Sequence, residues 1–493
     1  MTLESTKAPD VPILLRPLTS DAVKDILQRP QFLSDILRCV GSPANLLLPD
    51  IASLNLDRFA QALNARRIMG RVFFAHKSNQ SDSILRRLAL AKASVDVASS
   101  CELKHALACG FNGSRLEATG PKNDEFLGLC LLHCTTINVD SMSELERVCK
   151  LRKTINIVGR TPILLRLSGF TSGSAPIVKE SRFGISYAFA EQALDFVSSN
   201  STDLELLGFS FHLDTIGLDE RVQAIEETLN LFDRALDMGL SPRVLNIGGG
   251  FKTNYLAHES DWSNFNAQLK LSALAKRSPF TWQNNHFGLS AKDGVLRGNL
   301  NTYGFFEPNA GTTFLENLLD SELASRDNQT LSQFLSDNMI ELWLEPGRSI
   351  LDQCGFTLAR VIEVKNTSLQ NPLVVLEMKR QDLCFLDQEV LVDPVLLSSD
   401  GEDCEPDYKP FYLAGNLCLE SDLIFRRKIF LPREPKAGDM LAFINTAAYM
   451  MDFSASESIM QPRARRVALT AFGGESSAYR FVLDEKYSPF DSI

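Results

Sequence analysis

Several features are scarce in this chain of 493 residues, and each scarcity removes a class of function. No apolar run reaches the roughly 18 residues that a membrane-spanning helix needs. The ten cysteines include no Cys-x-x-Cys pair, and Cys101/Cys109 and Cys130/Cys134 have no histidine partners at zinc-finger distance. Reduced thiols in a cytoplasmic protein are therefore expected, not a disulfide scaffold. The six histidines show no pairing at ligand spacing, so no metal is expected. Positive charge is in deficit: 50 Lys and Arg against 61 Asp and Glu leave a net charge of −11. That balance argues against nucleic acid or an anionic membrane as partner. Residues Met1 to Asp10 carry acids and a lysine ahead of any apolar stretch, which is not the order of a secretory signal.

What is present is a rhythm. From about residue 71 to 347, short β-rich runs alternate with turns and helical patterns. The strand candidates are Val72–His76, Val95–Ala98, Leu116–Thr119, Ile137–Val139, Ile163–Leu167, Gly208–Leu213, Val244–Ile247 and Ile340–Leu344. Amphipathic helices are readable at Asp82–Ala91, Met142–Leu151 and Asp219–Met238, the second opened by Ser141 with Glu144 in its first turn. Eight such strands alternating with helices is the count for an α/β fold of the (β/α)8 TIM-barrel kind. After Gly347 the pattern changes to turn-separated strands, Phe356–Val364, Leu373–Glu377, Phe411–Ala414, Lys428–Leu431 and Met440–Asn445, which read as an antiparallel β domain. The expected division is an N-terminal segment 1–55 packing with the β domain, a barrel 56–350 and a β domain 351–493. An insertion at about 252–335 contains the stretch Ser278–Gly311, rich in Asn, Gly, Phe and Trp. It is either a lid shaping the catalytic face or a neutral insertion.

Chemistry-bearing residues fall just after barrel strands, where barrel active sites are built. Lys77 ends the run Arg71-Val-Phe-Phe-Ala-His-Lys77. Most lysines so placed snorkel or pair with an acid, but a desolvated amine is also what Schiff-base chemistry uses. Asp96 marks strand two, and Thr119-Gly-Pro-Lys122 follows strand three. His212 ends strand six; such a histidine is usually a satisfied core residue, and it can also stack on an aromatic cofactor. Gly248, Gly249 and Gly250 follow strand seven, a backbone that can approach a phosphate with no Cβ in the way. Arg348 offers a cationic fork for the same phosphate, and Glu345 an acid that could keep a pyridine nitrogen protonated. Together these groups suggest pyridoxal 5′-phosphate held by Lys77.

The chain resembles the fold-type III PLP-dependent enzymes, the group of the alanine racemases and of the diaminopimelate, ornithine and arginine decarboxylases. The motifs similar to the decarboxylase branch are Phe74-Ala-His-Lys77-Ser-Asn79, Asp96-Val-Ala-Ser99, Asn138-Val-Asp-Ser141, Ser181-Arg-Phe-Gly-Ile185, Phe211-His212, Ile247-Gly-Gly-Gly-Phe251 and Glu345-Pro-Gly-Arg348. Cys418-Leu-Glu420-Ser-Asp422 and Ala447-Ala-Tyr449 resemble the family's catalytic-cysteine and phosphate-tyrosine segments. The resemblance implies a homodimer with shared active sites and an amino acid substrate. It implies that Lys77 carries the cofactor, His212 stacks on it and Glu345 faces its nitrogen. Asp96, Thr215, Gly248, Gly249, Gly250, Arg348 and Tyr449 complete the cofactor site. Cys418 of the partner subunit would protonate the carbanion after CO2 leaves. A buried inert thiol is the plainer fate for such a cysteine.

Departures from the family pattern bear on substrate. Leu419 stands where an acid reads the distal amine, and Glu420 follows one place later. An expected Asp-Gly segment is replaced by Leu376-Glu-Met-Lys379-Arg380-Gln-Asp382, which brings basic groups to an acidic position. Asp214-Thr215 replaces Gly-Ser, with Thr215 still able to bond a phosphate. Glu420, Asp422 and Arg380 are the candidate substrate-binding residues, and a bulkier or acid-bearing amino acid is expected. Two other outcomes are a racemase or epimerase using Lys77 and Cys418, and a catalytically silent regulator of the same fold.

Overall fold

Eight parallel strands close into a ring in the computed structural model, which describes residues 12–170, 181–213, 217–384, 391–398, 405–471 and 479–490. They are Gly70–Ala75, Ser94–Val97, Leu116–Ala118, Thr136–Val139, Thr161–Ser168, Leu204–Phe211, Val244–Asn246 and Glu341–Leu344. Each pairs with the next, and the eighth returns to the first through Leu342, Trp343 and Leu344 against Gly70, Arg71 and Val72. The ring is thus the TIM barrel that the strand count implied. Near-continuous apolar runs suit it, because a parallel barrel strand is covered on both faces. Phe73, Leu164, Leu207, Val244 and Trp343 form one core cluster of the barrel.

Helices join the strands with their caps built in. The helix Met142–Thr154 starts where Ser141 Oγ accepts the Glu144 N–H, as the sequence signature implies. Asp82–Leu90 is opened the same way by Ser81, and Ser100–Ala108 by Ser99. Leu218–Asp237 follows the sixth strand.

The chain splits into two units, one of Pro49–Lys252, Asn309–Asp352 and Tyr487–Ile493, and one of Met1–Leu48, Thr253–Pro308 and Gln353–Lys486. The first contains the barrel. The second is built on an antiparallel sheet whose longest strand, Gly355–Asn366, pairs with Pro372–Leu376, Met440–Ile444 and Ala44–Leu47. Two pairings in it are parallel: Ala44–Leu47 with Arg465–Ala468, and Leu373–Val375 with Tyr412–Ala414. The division differs from a single cut near residue 350, because the segment after the seventh barrel strand clusters with the sheet. Its aromatic residues explain why. Phe265, Phe280, Phe287 and Phe305 share a buried core with Phe411, Phe425 and Phe443. Lys428 N–H donates to Phe280 O at 2.8 Å, and the Trp282 and Tyr412 rings lie 5.0 Å apart. Residues 278–308 therefore belong to the sheet unit, anchored in its core by Phe280, Phe287 and Phe305.

Candidate active site

The first barrel strand is buried over its last four residues and ends in one 3-10 turn, His76–Ser78, that presents Lys77. The turn is fixed by its own hydrogen bonds: Ser78 Oγ donates to Ala75 O at 2.7 Å, and Asn79 N–H to His76 O at 3.0 Å. Lys77 is half-buried and lines a cavity of about 610 Å³ with Thr119, Arg166, Phe183, His212 and Glu345. Lys122, another lysine after a barrel strand, is spent differently. It is buried and bonded to Glu144 at 2.9 Å and to the carbonyls of Gly120 and Asn138.

Three carboxyls are buried at the mouth of the barrel: Asp96, Glu117 and Glu345. Thr119 Oγ1 donates to Asp96 at 2.5 Å. Asn246 Nδ2 lies 2.8 Å from an oxygen of Glu117 and 2.8 Å from Glu345 Oε1, so one amide bridges the two acids. Asn138 Nδ2 also donates to Glu117 at 2.9 Å. Burial raises all three carboxyls. Glu345 is pushed up to about 7, first by burial and then by the Asp96 charge, against the pull of Lys77 and Arg166. Glu117 stands well above the carboxylate range, with burial first and Glu345 as the largest like charge. Glu117 is thus shifted toward its neutral form, and Glu345 exchanges a proton near neutral pH.

The glycine run after the seventh strand is as tight as the sequence implied. Gly248 has φ +67, and a Cβ on Gly249 would stand 2.6 Å from Glu345 O. Arg221 Nη2 donates to Gly249 O at 2.7 Å and holds the run from behind. Gly249 N–H donates to His212 Nδ1 at 3.2 Å, which makes that ring nitrogen an acceptor. The His212 ring is exposed to the cavity, yet the surrounding barrel mouth holds it well below the usual histidine range, with Lys77, Arg166 and Arg221 adding to the effect. A neutral flat ring, a lysine amine, a glycine cradle and a buried acid that ionises near pH 7 fit pyridoxal 5′-phosphate.

The other sequence candidates fall as follows. Arg348 is half-buried in the turn after the eighth strand. Thr215, with Asp214, lies outside the described residues. Cys418 is exposed in the sheet unit. Tyr449, of the same unit, is half-buried with φ +65 and its ring 6.0 Å from that of Phe453. Arg380, Glu420 and Asp422 come together on a second cavity of about 500 Å³, lined also by Trp282, Leu419 and Arg426.

Two of the residues in this region are held by local bonds. Asp422 is buried, and its carboxylate accepts the N–H groups of Arg380 at 2.8 Å and Leu417 at 2.9 Å, so it ties the loop. Lys379 brings no usable positive charge: it is buried against Asp382 at 3.1 Å and donates to Pro462 O at 2.7 Å. Glu117, Asn246 and Arg166 are site residues that sequence reading missed. The available signal was a polar or charged residue inside an otherwise apolar barrel strand. Arg166 lines the cavity and pairs with Asp140 at 3.3 Å.

Residues 53–283 match the family described as pyridoxal-dependent decarboxylase, pyridoxal binding domain. Uncharacterized protein y4yA of Sinorhizobium fredii is 28% identical over 456 residues, covering 92% of this chain and 93% of that protein. Diaminopimelate decarboxylase of Staphylococcus aureus is 24% identical over 420 residues, covering 82% and 83%. Among solved structures, diaminopimelate decarboxylase of M. jannaschii in co-complex with L-lysine shares the fold with a TM-score of 0.69 at 17% identity, covering 98% of this chain and 100% of that one. The Paramecium bursaria Chlorella virus arginine decarboxylase bound to agmatine gives 0.62 at 18% identity, covering 87% and 97%.

Proposed function

We propose that the chain is a fold-type III pyridoxal-dependent amino acid decarboxylase and that it removes the α-carboxylate of an amino acid whose side chain bears an acid or a bulky group. The observation that carries the reading is Glu345, which lines the Lys77 cavity and is tied through Asn246 to the buried Glu117. Bound pyridoxal 5′-phosphate supplies an electron sink for the substrate's α-carbon. Lys77 would hold that group, and Gly248 to Gly250 and Arg348 would hold its phosphate; the phosphate role of Tyr449 rests on the family resemblance alone. Glu345 gives up its proton close to pH 7, so its carboxylate is available to a ring nitrogen. Glu117, pushed up by burial, accepts from Asn246 Nδ2 and orders it. His212 packs as a neutral ring and adds no cation beside Lys77.

After CO2 departs, a proton must reach the α-carbon. Cys418 is our candidate donor, supplied by the sheet unit of a second copy of the chain in a homodimer. Its exposure on a surface loop supports that reading. In the sheet unit's own cavity, Arg380 and Arg426 stand with Leu419 and Trp282 beside Glu420 and Asp422, and we read the two arginines as favouring an acidic or aromatic side chain over a distal amine. Complementation tests the shared site. Lys77→Ala and Cys418→Ala chains, each inactive alone, regain activity when mixed and refolded together. Mixtures as inactive as the parents would refute the assignment of Cys418 to the partner.

A further inference from the structure

Outside the cofactor cavity, the fold gathers a set of ligand-type side chains that the decarboxylation does not use. Asp82 is the first residue of the helix Asp82–Leu90, and His105 and Cys109 lie one turn apart at the end of Ser100–Ala108. An oxygen of Asp82, a ring nitrogen of His105 and Cys109 Sγ all lie within 4.8 Å of one another. We propose that Asp82, His105 and Cys109 form a site for a divalent transition metal of the zinc type.

Donor chemistry selects that class. One carboxylate oxygen, one imidazole nitrogen and one thiolate suit zinc or cobalt and are too soft for magnesium or calcium. Orientation is already provided. His105 Nε2 points at Asp82 Oδ1, 3.0 Å away, while its Nδ1 meets His76 Nε2 at 2.9 Å. With Nδ1 keeping its proton and donating it to His76, Nε2 is left with a lone pair for the metal. That is the outer partner a metal-bound histidine commonly has. Arg86 Nη2 holds the other oxygen of Asp82 at 2.8 Å, so the acid can offer Oδ1 alone. Cys109 is buried and also lines a cavity of about 470 Å³ with Arg86, Leu90, Tyr487 and Phe490. Binding releases the thiol proton, so affinity rises with pH.

The test uses the cofactor-loaded protein, freed of metal with a chelator and titrated with Co2+. Tetrahedral ligand-field bands in the red, clear of the cofactor's absorbance, should saturate at one ion per chain. Cys109→Ser and Asp82→Asn should each weaken binding at least tenfold, and His76→Gln by about 10- to 100-fold. Retained cofactor absorbance and circular dichroism certify that a variant is folded; where Cys109→Ser is not folded, Asp82→Asn decides. Absence of the bands in the native chain, or a titration that a folded Cys109→Ser or Asp82→Asn variant leaves unchanged, would overturn the site.

Discussion

Replacing Glu345 by Gln should stabilise the cofactor-free protein at high pH while disabling it. The carboxyl is buried, and its proton leaves near 7 in the fold instead of at the ordinary value of 4.5. A pKa raised by folding means that the folded state holds the proton more tightly. Stability is then complete below pH 4.5, falls between 4.5 and about 7, and is level above. At about 1.4 kcal/mol per pH unit, the ionised carboxylate costs on the order of 3 kcal/mol. Gln keeps an oxygen for Asn246 Nδ2, which now stands 2.8 Å from Glu345 Oε1, and carries no charge. Urea unfolding of the cofactor-free native chain and variant, followed by circular dichroism, should show no difference at pH 4. At pH 8 the variant should be more stable by about 3 kcal/mol. With cofactor bound, the same change should lower kcat about 100-fold or more, because the ring nitrogen loses its charged partner. A variant no more stable than the native chain at pH 8, or equally stabilised at both pH values, would refute the reasoning.

Three further outcomes follow from particular contacts. Gly249→Ala puts a Cβ 2.6 Å from Glu345 O and 3.2 Å from His212 Cε1. It should cost about 1–3 kcal/mol of cofactor affinity, read by absorbance titration. Asp382→Asn leaves the buried Lys379 ammonium without its acid. It should lower stability by about 3–5 kcal/mol in urea unfolding and leave the ranking of substrates unchanged. Arg380→Ala should reduce kcat/KM for acidic amino acids by about tenfold or more while sparing uncharged ones, a loss matching one charge-assisted hydrogen bond.

The barrel was legible because its strands are short, apolar and regularly spaced, and all eight candidates overlap an observed strand. The sheet was read less completely. Ala44–Leu47 is four residues long between Pro43 and Pro49, and Arg465–Ala471 opens with two charges, so neither shows a strand pattern. At the site, Lys77, His212, Gly248 to Gly250 and Glu345 announced themselves by standing at strand ends. Glu117 and Arg166 did not, because a residue inside a strand is read for its propensity before its charge. Lys379 misled for the opposite reason: its charge was visible, and the Asp382 three residues away that cancels it was given no role. The meeting of Asp82, His76 and His105 comes from tertiary packing. The one-turn spacing of His105 and Cys109 was nevertheless present in the sequence, against the expectation that no histidine stood at ligand spacing.

The most direct test of the central claim is turnover in D2O with a panel of L- and D-amino acids, the products resolved by mass. A decarboxylase should release CO2 from one substrate class and yield an amine carrying a single deuterium at the former α-carbon, and Lys77→Ala should yield none. Recovery of the amino acid with its carboxylate intact and deuterium at the α-carbon would contradict decarboxylation and identify a racemase.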